Sequence, residues 1–300
     1  MRLRLSGTSS LGIVFAAVLS VASPCWAQEQ QPPPPPAADQ AAGPSSSPEI
    51  ELNLVNLPTT LSLRRHRSYF RLTHRFARDL RRGDFGQLAE DLFSLDNGAI
   101  IGLEYRFGIT SDLQAGVHRS LLSKTIQVFG RYDAWKQGDT LPVSISVMAS
   151  VEGQNNLQED FQPGVVATVS RAVDNWLVLY ASPGFVANTH AADFVEGHDD
   201  HELPGVVDEH ANHDNTAFIG LGGRARIRPS VFIAGEYTPR IAGYDPGRGL
   251  WAVAIEKRTR GGGHTLQLNF TNSFGTTFGQ IARGGDPHNV YLGFNITRKF

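Results

Sequence analysis

The amino-acid sequence predicts an all-β protein, an antiparallel transmembrane β-barrel of about twelve strands. From Arg67 onward, stretches of alternating apolar and polar residues follow one another, separated by turn residues. The sequence finishes with one such stretch, YLGFNITRKF, in which Leu292, Phe294, Ile296 and Phe300 fall on one face. In a transmembrane barrel such an apolar face contacts lipid, while the polar face lines a wet lumen.

The alternation is regular in GAIIGLEYRF, where Ile101, Leu103 and Tyr105 share one face and Glu104 and Arg106 share the other. Charges inside a strand are costly unless the face is wet or paired, and here they fall repeatedly on the non-apolar face. Each predicted strand is near the ~9–11 residues that cross a bilayer at a tilt. The predicted strands are 67–76, 98–108, 112–121, 124–135, 142–152, 163–172, 175–186, 216–228, 230–240, 248–259, 263–271 and 289–300.

The connections between these strands support the same topology. If the first strand leaves a periplasmic N-terminus, every second connection is periplasmic and should be short. The short, turn-rich connections lie near 110, 138, 174, 229 and 261. The others are longer, apart from 122–123, and the first contains DFGQLAEDLFSL at 84–95, a predicted short helix. An even strand count places Phe300 at the periplasmic rim, where we expect it to act as an insertion signal for the barrel assembly machinery.

The start of the sequence predicts a signal peptide over residues 1–27. A basic beginning precedes an apolar run from 11 to 22, which is too short to span a bilayer as a helix. Cleavage after Ala27 would remove Cys25, the single cysteine, and with it any disulfide or thiolate site. A lipoprotein with Cys25 as its first mature residue is the alternative. The signal predicts export to the bacterial outer membrane of a Gram-negative envelope.

Between the signal and the barrel lie two further predicted segments. Residues 28–49 form a disordered, proline-rich linker, because the run QEQQPPPPPAADQAAGPSSSPE is of low complexity. Residues 50–66 form a periplasmic N-terminal segment, expected to be a short strand or a latch near the barrel mouth, and 67–300 form the barrel. The linker could hold a periplasmic partner. With 27 basic and 29 acidic residues, the charge balance gives no case for nucleic-acid binding.

Several stretches carry a resemblance to a known family. They are VNLPTT at 55–60 with THRFA at 73–77, FSLDNGAIIGLEYRFG at 93–108, AGVHRSLLSKT at 115–125 and GGHTLQLNFTNS at 262–273. Together they resemble an uncharacterised family of bacterial β-barrel proteins with a domain of unknown function. The last stretch is the most specific, through His264, Gln267, Asn269, Thr271 and Asn272. The resemblance implies a signal-bearing barrel and implies no activity.

One long connection, 187–215, is rich in histidine and carboxylate groups and has no Lys or Arg. Imidazoles and carboxylates with this spacing suit Zn²⁺ or another divalent transition metal, which would be the only cofactor. The alternative is a solvated acidic external loop. The candidate ligands are His190, His198, His201, His210 and His213.

The polar faces of the strands carry charges that should point into the lumen. They could form an ion-pair mesh that fills the barrel or a constriction that selects solutes. These predicted lumen charges are Glu104, Arg106, Arg224, Arg226, Arg228, Glu236, Arg240, Glu256 and Arg258.

We predict no enzymatic activity and therefore no catalytic residues. A lipid hydrolase on the barrel surface would need Ser, His and an orienting group in mutual reach. The local candidates are His118 with Ser120, and His264 with Asn272 or Ser273. Such neighbours are common by chance, and the sequence contains no G-x-S-x-G stretch.

The function predicted first is passage or binding of a small polar solute through the lumen of a barrel embedded in outer-membrane lipid. A non-conducting structural barrel that holds a periplasmic partner through the linker is the alternative from another class. Metal capture by the external loop is a third. An open lumen would favour transport, and a lumen plugged by residues 84–95 would favour the scaffold.

Overall fold

The fold is described from a computed structural model, which covers residues 47–138, 140–189, 214–244, 248–259, 261 and 263–300. Thirteen strand segments form one antiparallel sheet. They are β1 Ser68–Phe76, β2 Ala99–Gly108, β3 Leu113–Ser120, β4 Ile126–Trp135, β5 Ser144–Gly153, β6 Glu159–Val173, β7 Leu177–Thr189, β8 Asp214–Arg228, β9 Val231–Thr238, β10 Arg240–Ala242, β11 Leu250–Arg258, β12 His264–Thr271 and β13 Tyr291–Lys299.

The sheet closes on itself into a barrel of twelve strands. From β1 to β9 and from β11 to β13 each strand pairs with its neighbour in sequence, β9 pairs with β11, and β1 pairs with β13. The short β10 also pairs with β8 and continues β9 beyond Pro239, which has no N–H to donate to the ladder. We therefore count β9 and β10 as one crossing, and the predicted fold class is confirmed.

Three short α-helices lie in the described parts of the connections: α1 Phe85–Glu90, α2 Gln154–Leu157 and α3 Phe278–Arg283. Helix α1 falls in the first long connection, as predicted, and its N-terminus is capped by Asp84, whose side chain accepts the Gln87 N–H. Its residues are exposed outside the lumen, with Phe85 at 74% exposure, so it does not plug the barrel. No helix in the described part of the chain is long and apolar enough to span a membrane.

The two faces of the sheet differ as the alternation predicts. On β2, the outward residues Leu103 and Tyr105 are 43% and 45% exposed, whereas the inward Glu104 and Arg106 are each 1% exposed. The same alternation recurs on the other strands, so an apolar belt surrounds the barrel and a polar wall lines its lumen. Burial in this molecule therefore means burial inside the lumen.

The two ends of the barrel are distinct. The terminal end carries the start of β1, the end of β13 and five short turns. There the Lys136 ammonium donates to Asp112 at 2.6 Å, and this bond, with one from Ser111, holds the pKa of Asp112 below its usual range. Phe300 is half-exposed at this end, and its N–H donates to the Ser68 carbonyl at 2.9 Å. The opposite, loop end carries the longer connections.

Candidate functional site: a filled lumen

The lumen holds a hairpin formed by residues 50–63, named here the plug hairpin. The Leu54 N–H donates to the Leu57 carbonyl at 2.8 Å, and the Thr59 N–H donates to the Leu52 carbonyl at 3.0 Å. All residues from 50 to 60 are buried. Its second arm runs into β1, so the hairpin enters the barrel from the terminal end. The sequence analysis expected a periplasmic segment or a latch at the mouth and did not place it inside.

Glu236 on β9 fixes the turn of the plug hairpin. Its carboxylate accepts three consecutive main-chain N–H groups, from Val55 at 3.1 Å, Asn56 at 2.9 Å and Leu57 at 3.1 Å. Glu236 is only 5% exposed, so these bonds form away from water. Successive N–H groups that converge on one anion make a strong, charge-assisted cradle.

The wall also binds the carbonyl groups of the same turn. Side chains from four different strands donate to three consecutive carbonyls of the hairpin. They are Arg224 to Asn53 at 2.7 Å, Gln267 to Leu54 at 2.8 Å, and Arg71 and Asn295 to Val55 at 3.2 Å each. Leu54 and Val55 additionally pack in an apolar cluster with residues of β7, β9 and β11.

Buried ion pairs connect the strands of the wall to one another. Arg71 Nη2 lies 2.7 Å from Glu104 Oε2, and Arg106 pairs with the other oxygen of the same carboxylate. Arg224 Nε lies 2.6 Å from Glu256 Oε2. All five side chains are at most 2% exposed. Because both partners of each pair belong to strands, these charges are compensated within the wall itself.

The connection between β12 and β13 folds back into the lumen from the loop end. Residues 272–282 are buried throughout, and we call them the inturned loop. Asn272 turns the chain inward, because its Oδ1 accepts the Trp251 N–H at 2.8 Å and its Nδ2 donates to the Gly249 carbonyl at 3.0 Å. This places α3 inside the barrel.

Glu152 on β5 anchors the inturned loop as Glu236 anchors the hairpin. It accepts the Gly279 N–H at 2.9 Å and the Thr277 hydroxyl at 2.8 Å. Phe278 and Ile281 of α3 then pack against apolar side chains of the wall. That cluster includes Phe129, Met148, Val166, Val186, Phe218 and Leu250.

Both inserted segments are packed against the lumen wall, with residues 50–60 and 272–282 buried. A cavity of about 10 Å³ remains between the plug hairpin and the wall, lined among others by Glu51, Arg71, Gln267 and Asn295. That volume is at the lower limit for one water molecule. At this cavity the hairpin and the wall leave no room for a solute larger than water.

The structure places the predicted lumen charges in two groups. Glu104, Arg106, Arg224, Glu236 and Glu256 are buried in the lumen, at 5% exposure or less. The remaining four lie nearer the barrel ends. Arg226, Arg240 and Arg258 are half-buried, and Arg228 is exposed.

The residues that carried the family resemblance also lie at the inserted segments. Gln267 bonds both the hairpin and Glu256, Asn269 and Thr271 are fully buried, and Asn272 turns the inturned loop. His264 lies at the other end of β12, at the terminal end.

The five histidines of the predicted metal site lie outside the described residues, as does most of the connection that carries them. Within the ranges that the structure covers, no group of three or more His, Cys, Asp or Glu side chains could hold a metal ion.

The candidate hydrolase residues are not assembled on the outer surface. His118 is 1% exposed inside the lumen, with Nε2 at 3.4 Å from the Thr276 hydroxyl, and the Ser120 hydroxyl accepts the Leu122 N–H. His264 and Asn272 lie at opposite ends of β12. His118 Nδ1 also lies 3.9 Å from Glu104 Oε2, so the hydroxyl beside this histidine is that of Thr276 inside the lumen and not that of the candidate Ser120.

Both inserted segments have signals in the sequence that were not among those that predicted the barrel. Residues 272–282, NSFGTTFGQIA, contain no charge, which is unusual for a loop in water. The segment ELNLVNL at 51–57 has Leu or Val at 52, 54, 55 and 57 without strand partners nearby in sequence. Apolar side chains so placed need to be buried by other parts of the chain, and here the lumen wall buries them.

The comparisons with known proteins agree with this architecture. A family model described as membrane bound beta barrel domain (DUF5777) matches residues 51–300. The chain belongs to this family. Family membership makes it a membrane-bound β-barrel and confirms the predicted resemblance to an uncharacterised barrel family. The match begins at the plug hairpin, so the hairpin is part of the family's domain.

The solved structures to which the chain is similar share little sequence with it. The NanC porin is 11% identical, with 78% of this chain and 98% of that chain covered at a TM-score of 0.47. An outer membrane channel from Pseudomonas putida F1 is 11% identical, with coverages of 79% and 97% and a TM-score of 0.42. Outer membrane phospholipase A from Escherichia coli is 9% identical, with coverages of 84% and 98% and a TM-score of 0.38. No curated protein matches the chain.

Proposed function

We propose that the protein is an outer-membrane barrel with a gated lumen for a small polar solute, and that the plug hairpin is the gate. The observation that carries the proposal is the way the lumen is filled. A polar wall surrounds a separate chain segment, which enters from one end and is held mainly at its turn. An eight-stranded barrel is filled by its own side chains, whereas larger barrels have room for a channel.

The charges of the wall support a gate rather than a permanent core. Glu104 remains paired with Arg71 and Arg106, and Glu256 with Arg224, whether or not the hairpin is present. Withdrawal of the hairpin would therefore leave few uncompensated charges. Glu236 and Arg75 are the exceptions, because the donors to Glu236 come from the hairpin and, within the described residues, Arg75 bonds only neutral acceptors, one of them Asn56 of the hairpin. Glu236 makes the larger number of bonds to the hairpin. We propose that Glu236 is the residue that holds the hairpin in the lumen, and we call Glu236 the latch.

The outer-membrane location rests on three observations. The barrel carries an apolar belt on its outward face, the family is membrane-bound, and the chain begins with a predicted export signal. A barrel so placed would have its terminal end, and hence the plug hairpin and the proline-rich linker, on the periplasmic side.

The filled lumen also supports a second candidate, a non-conducting barrel that serves as a scaffold. In that case the plug hairpin is a permanent core, and the linker that precedes it holds a periplasmic partner. The two candidates differ in whether weakening the latch produces conductance.

Conductance across planar bilayers tests the proposal. We compare the natural protein with Glu236→Gln, which keeps the size of the latch but removes its charge. Loss of hydrogen bonds to a buried carboxylate costs about 1.5–3 kcal/mol, so the open fraction should rise at least about tenfold. Glu90→Gln is the matched control, because Glu90 is exposed on α1 outside the lumen, and it should conduct as the natural protein does.

The proposal fails if folded Glu236→Gln protein stays as silent as the control and removal of residues 51–59 also gives no conductance. Folding is checked by the heat-dependent shift in gel migration that intact barrels show. That result would favour the scaffold.

A further inference from the structure

The chemistry of the contacts at the hairpin turn identifies a ligand class. Among the described residues, each hydrogen bond between the wall and residues 53–57 ends on an amide group of the hairpin. Most of these amides belong to the main chain, as described above. The others are side-chain carboxamides: Asn53 Oδ1 accepts from Arg106 at 2.6 Å, and Asn56 Oδ1 accepts from Arg75 at 3.1 Å.

The arrangement is directional. Side chains of β1, β8, β12 and β13 donate to the successive carbonyls of Asn53, Leu54 and Val55. Glu236 on β9, the strand next to β8, accepts the successive N–H groups of residues 55–57. The wall thus binds the carbonyls of residues 53–55 and the N–H groups of residues 55–57, which is the pattern of groups that one turn of a peptide presents.

Other ligand classes match this wall less well. An anion would meet the Glu236 carboxylate, and a cation would meet the buried guanidinium groups of Arg71, Arg75 and Arg224. A sugar has hydroxyl donors for Glu236 but lacks carbonyl acceptors at the spacing of consecutive peptide units. A neutral chain of amides supplies carbonyls to the donors of the wall and N–H groups to the Glu236 carboxylate.

We propose that the lumen wall around Glu236 is a binding site for short peptides, recognised through their main-chain amides, and that the plug hairpin occupies it as an internal ligand. This proposal rests on the proposed function in one respect, because a peptide can enter the site only if the hairpin can leave it. It identifies the small polar solute of the lumen as a peptide.

The site is tested in a full chain that lacks only residues 51–59, whose shortened segment cannot reach Glu236. A fluorescent synthetic peptide with the sequence of residues 50–63 is titrated against the folded protein in detergent. We expect saturable binding to this variant and none to the natural protein, in which the hairpin fills the site. If the deletion does not fold, the double substitution Asn53→Ala and Asn56→Ala weakens the hairpin while leaving the wall intact.

The decisive probe is a second peptide, N-methylated at the positions of Val55, Asn56 and Leu57. It keeps every side chain but loses the N–H groups that Glu236 accepts. We expect it to bind at least about tenfold more weakly. Adding Glu236→Gln to the protein should remove most of that difference, because the two changes delete the same bonds.

Equal binding of the two peptides overturns the proposal, because apolar side chains would then drive association. Displacement of the peptide by maltotriose at similar concentrations overturns it as well, and so does absence of binding to a folded deletion variant. Conductance separates this proposal from the gate. A deletion variant that conducts but binds no peptide would support the gate and contradict the peptide site. A variant that binds peptide but does not conduct would support the peptide site and contradict the gate.

Discussion

Two buried carboxylates, Glu236 and Glu152, hold the two segments that fill the barrel. Each projects from a strand into the lumen and accepts main-chain N–H groups, Glu236 from the plug hairpin and Glu152 from the inturned loop. The sequence predicted Glu236 as a lumen charge from its face of the strand. It could not predict the partners, because every residue except proline has a main-chain N–H group, so residue type does not show which of these groups Glu236 binds.

Glu152→Gln should loosen the inturned loop. The substitution weakens the bonds to Gly279 and Thr277 that hold α3, at a cost of about 1–3 kcal/mol. We therefore expect trypsin to cut after Arg283 at least several-fold faster in the folded protein, since cleavage follows the population of the opened loop. Glu159→Gln, at an exposed position at the start of β6, is the control. Cleavage at the same rate in both variants would contradict the anchoring role.

Gly284 ends α3 in a conformation that other residues avoid. Its φ of 86° and ψ of −154° lie in a region that only glycine adopts readily. Gly284→Ala should therefore destabilise the protein by about 1–3 kcal/mol, seen as a lower midpoint of the heat-dependent gel shift. Gly130→Ala is the comparison, because a Cβ there meets nothing within 4 Å. Equal midpoints for the two variants would contradict this account, because they would show that the backbone conformation at Gly284 does not require glycine.

At the scale of elements, alternation predicted the strands well. All twelve crossings occur where the sequence placed them, because inward and outward faces differ along each strand. The differences lie at the ends. Strand β6 begins at Glu159 rather than 163, and the crossing predicted over 230–240 is interrupted at Pro239. The residues at which strands begin and end depend on how the loops pack, and the alternation of apolar and polar residues carries no information about that packing.

The outward face of β12 offers a test of the membrane belt. Leu268 and Leu95 are similarly exposed, at 49% and 54%, but Leu268 lies mid-strand on the apolar belt and Leu95 lies in the first long connection. Leu268→Lys should reduce folding stability in lipid vesicles by about 2–4 kcal/mol in urea titrations, because a charge in the bilayer core is costly. Leu95→Lys should have little effect. Equal losses for both would contradict a lipid-facing β12.

At the scale of the whole molecule, the sequence predicted the closed barrel but not its filled lumen. Barrel closure follows from patterns repeated in every strand. The plug hairpin depends on contacts between residues far apart in sequence, such as Asn56 with Glu236 and Leu54 with Gln267. The eleven buried residues from 50 to 60 have no strand partner nearby in sequence and show no period of their own, and they were predicted to form a periplasmic segment, as a short strand or a latch near the barrel mouth.

The central claim, that the plug hairpin is a movable gate, is tested most directly by locking it. The hydroxyls of Thr60 on the hairpin and Ser170 on β6 lie 2.5 Å apart, so cysteines at both positions can form a reversible disulfide. The measurement is the bilayer conductance of Thr60→Cys/Ser170→Cys in the Glu236→Gln background, before and after reduction. We predict a closed barrel when oxidised and frequent openings when reduced. Equal conductance in both states, with the disulfide verified, would contradict the gate.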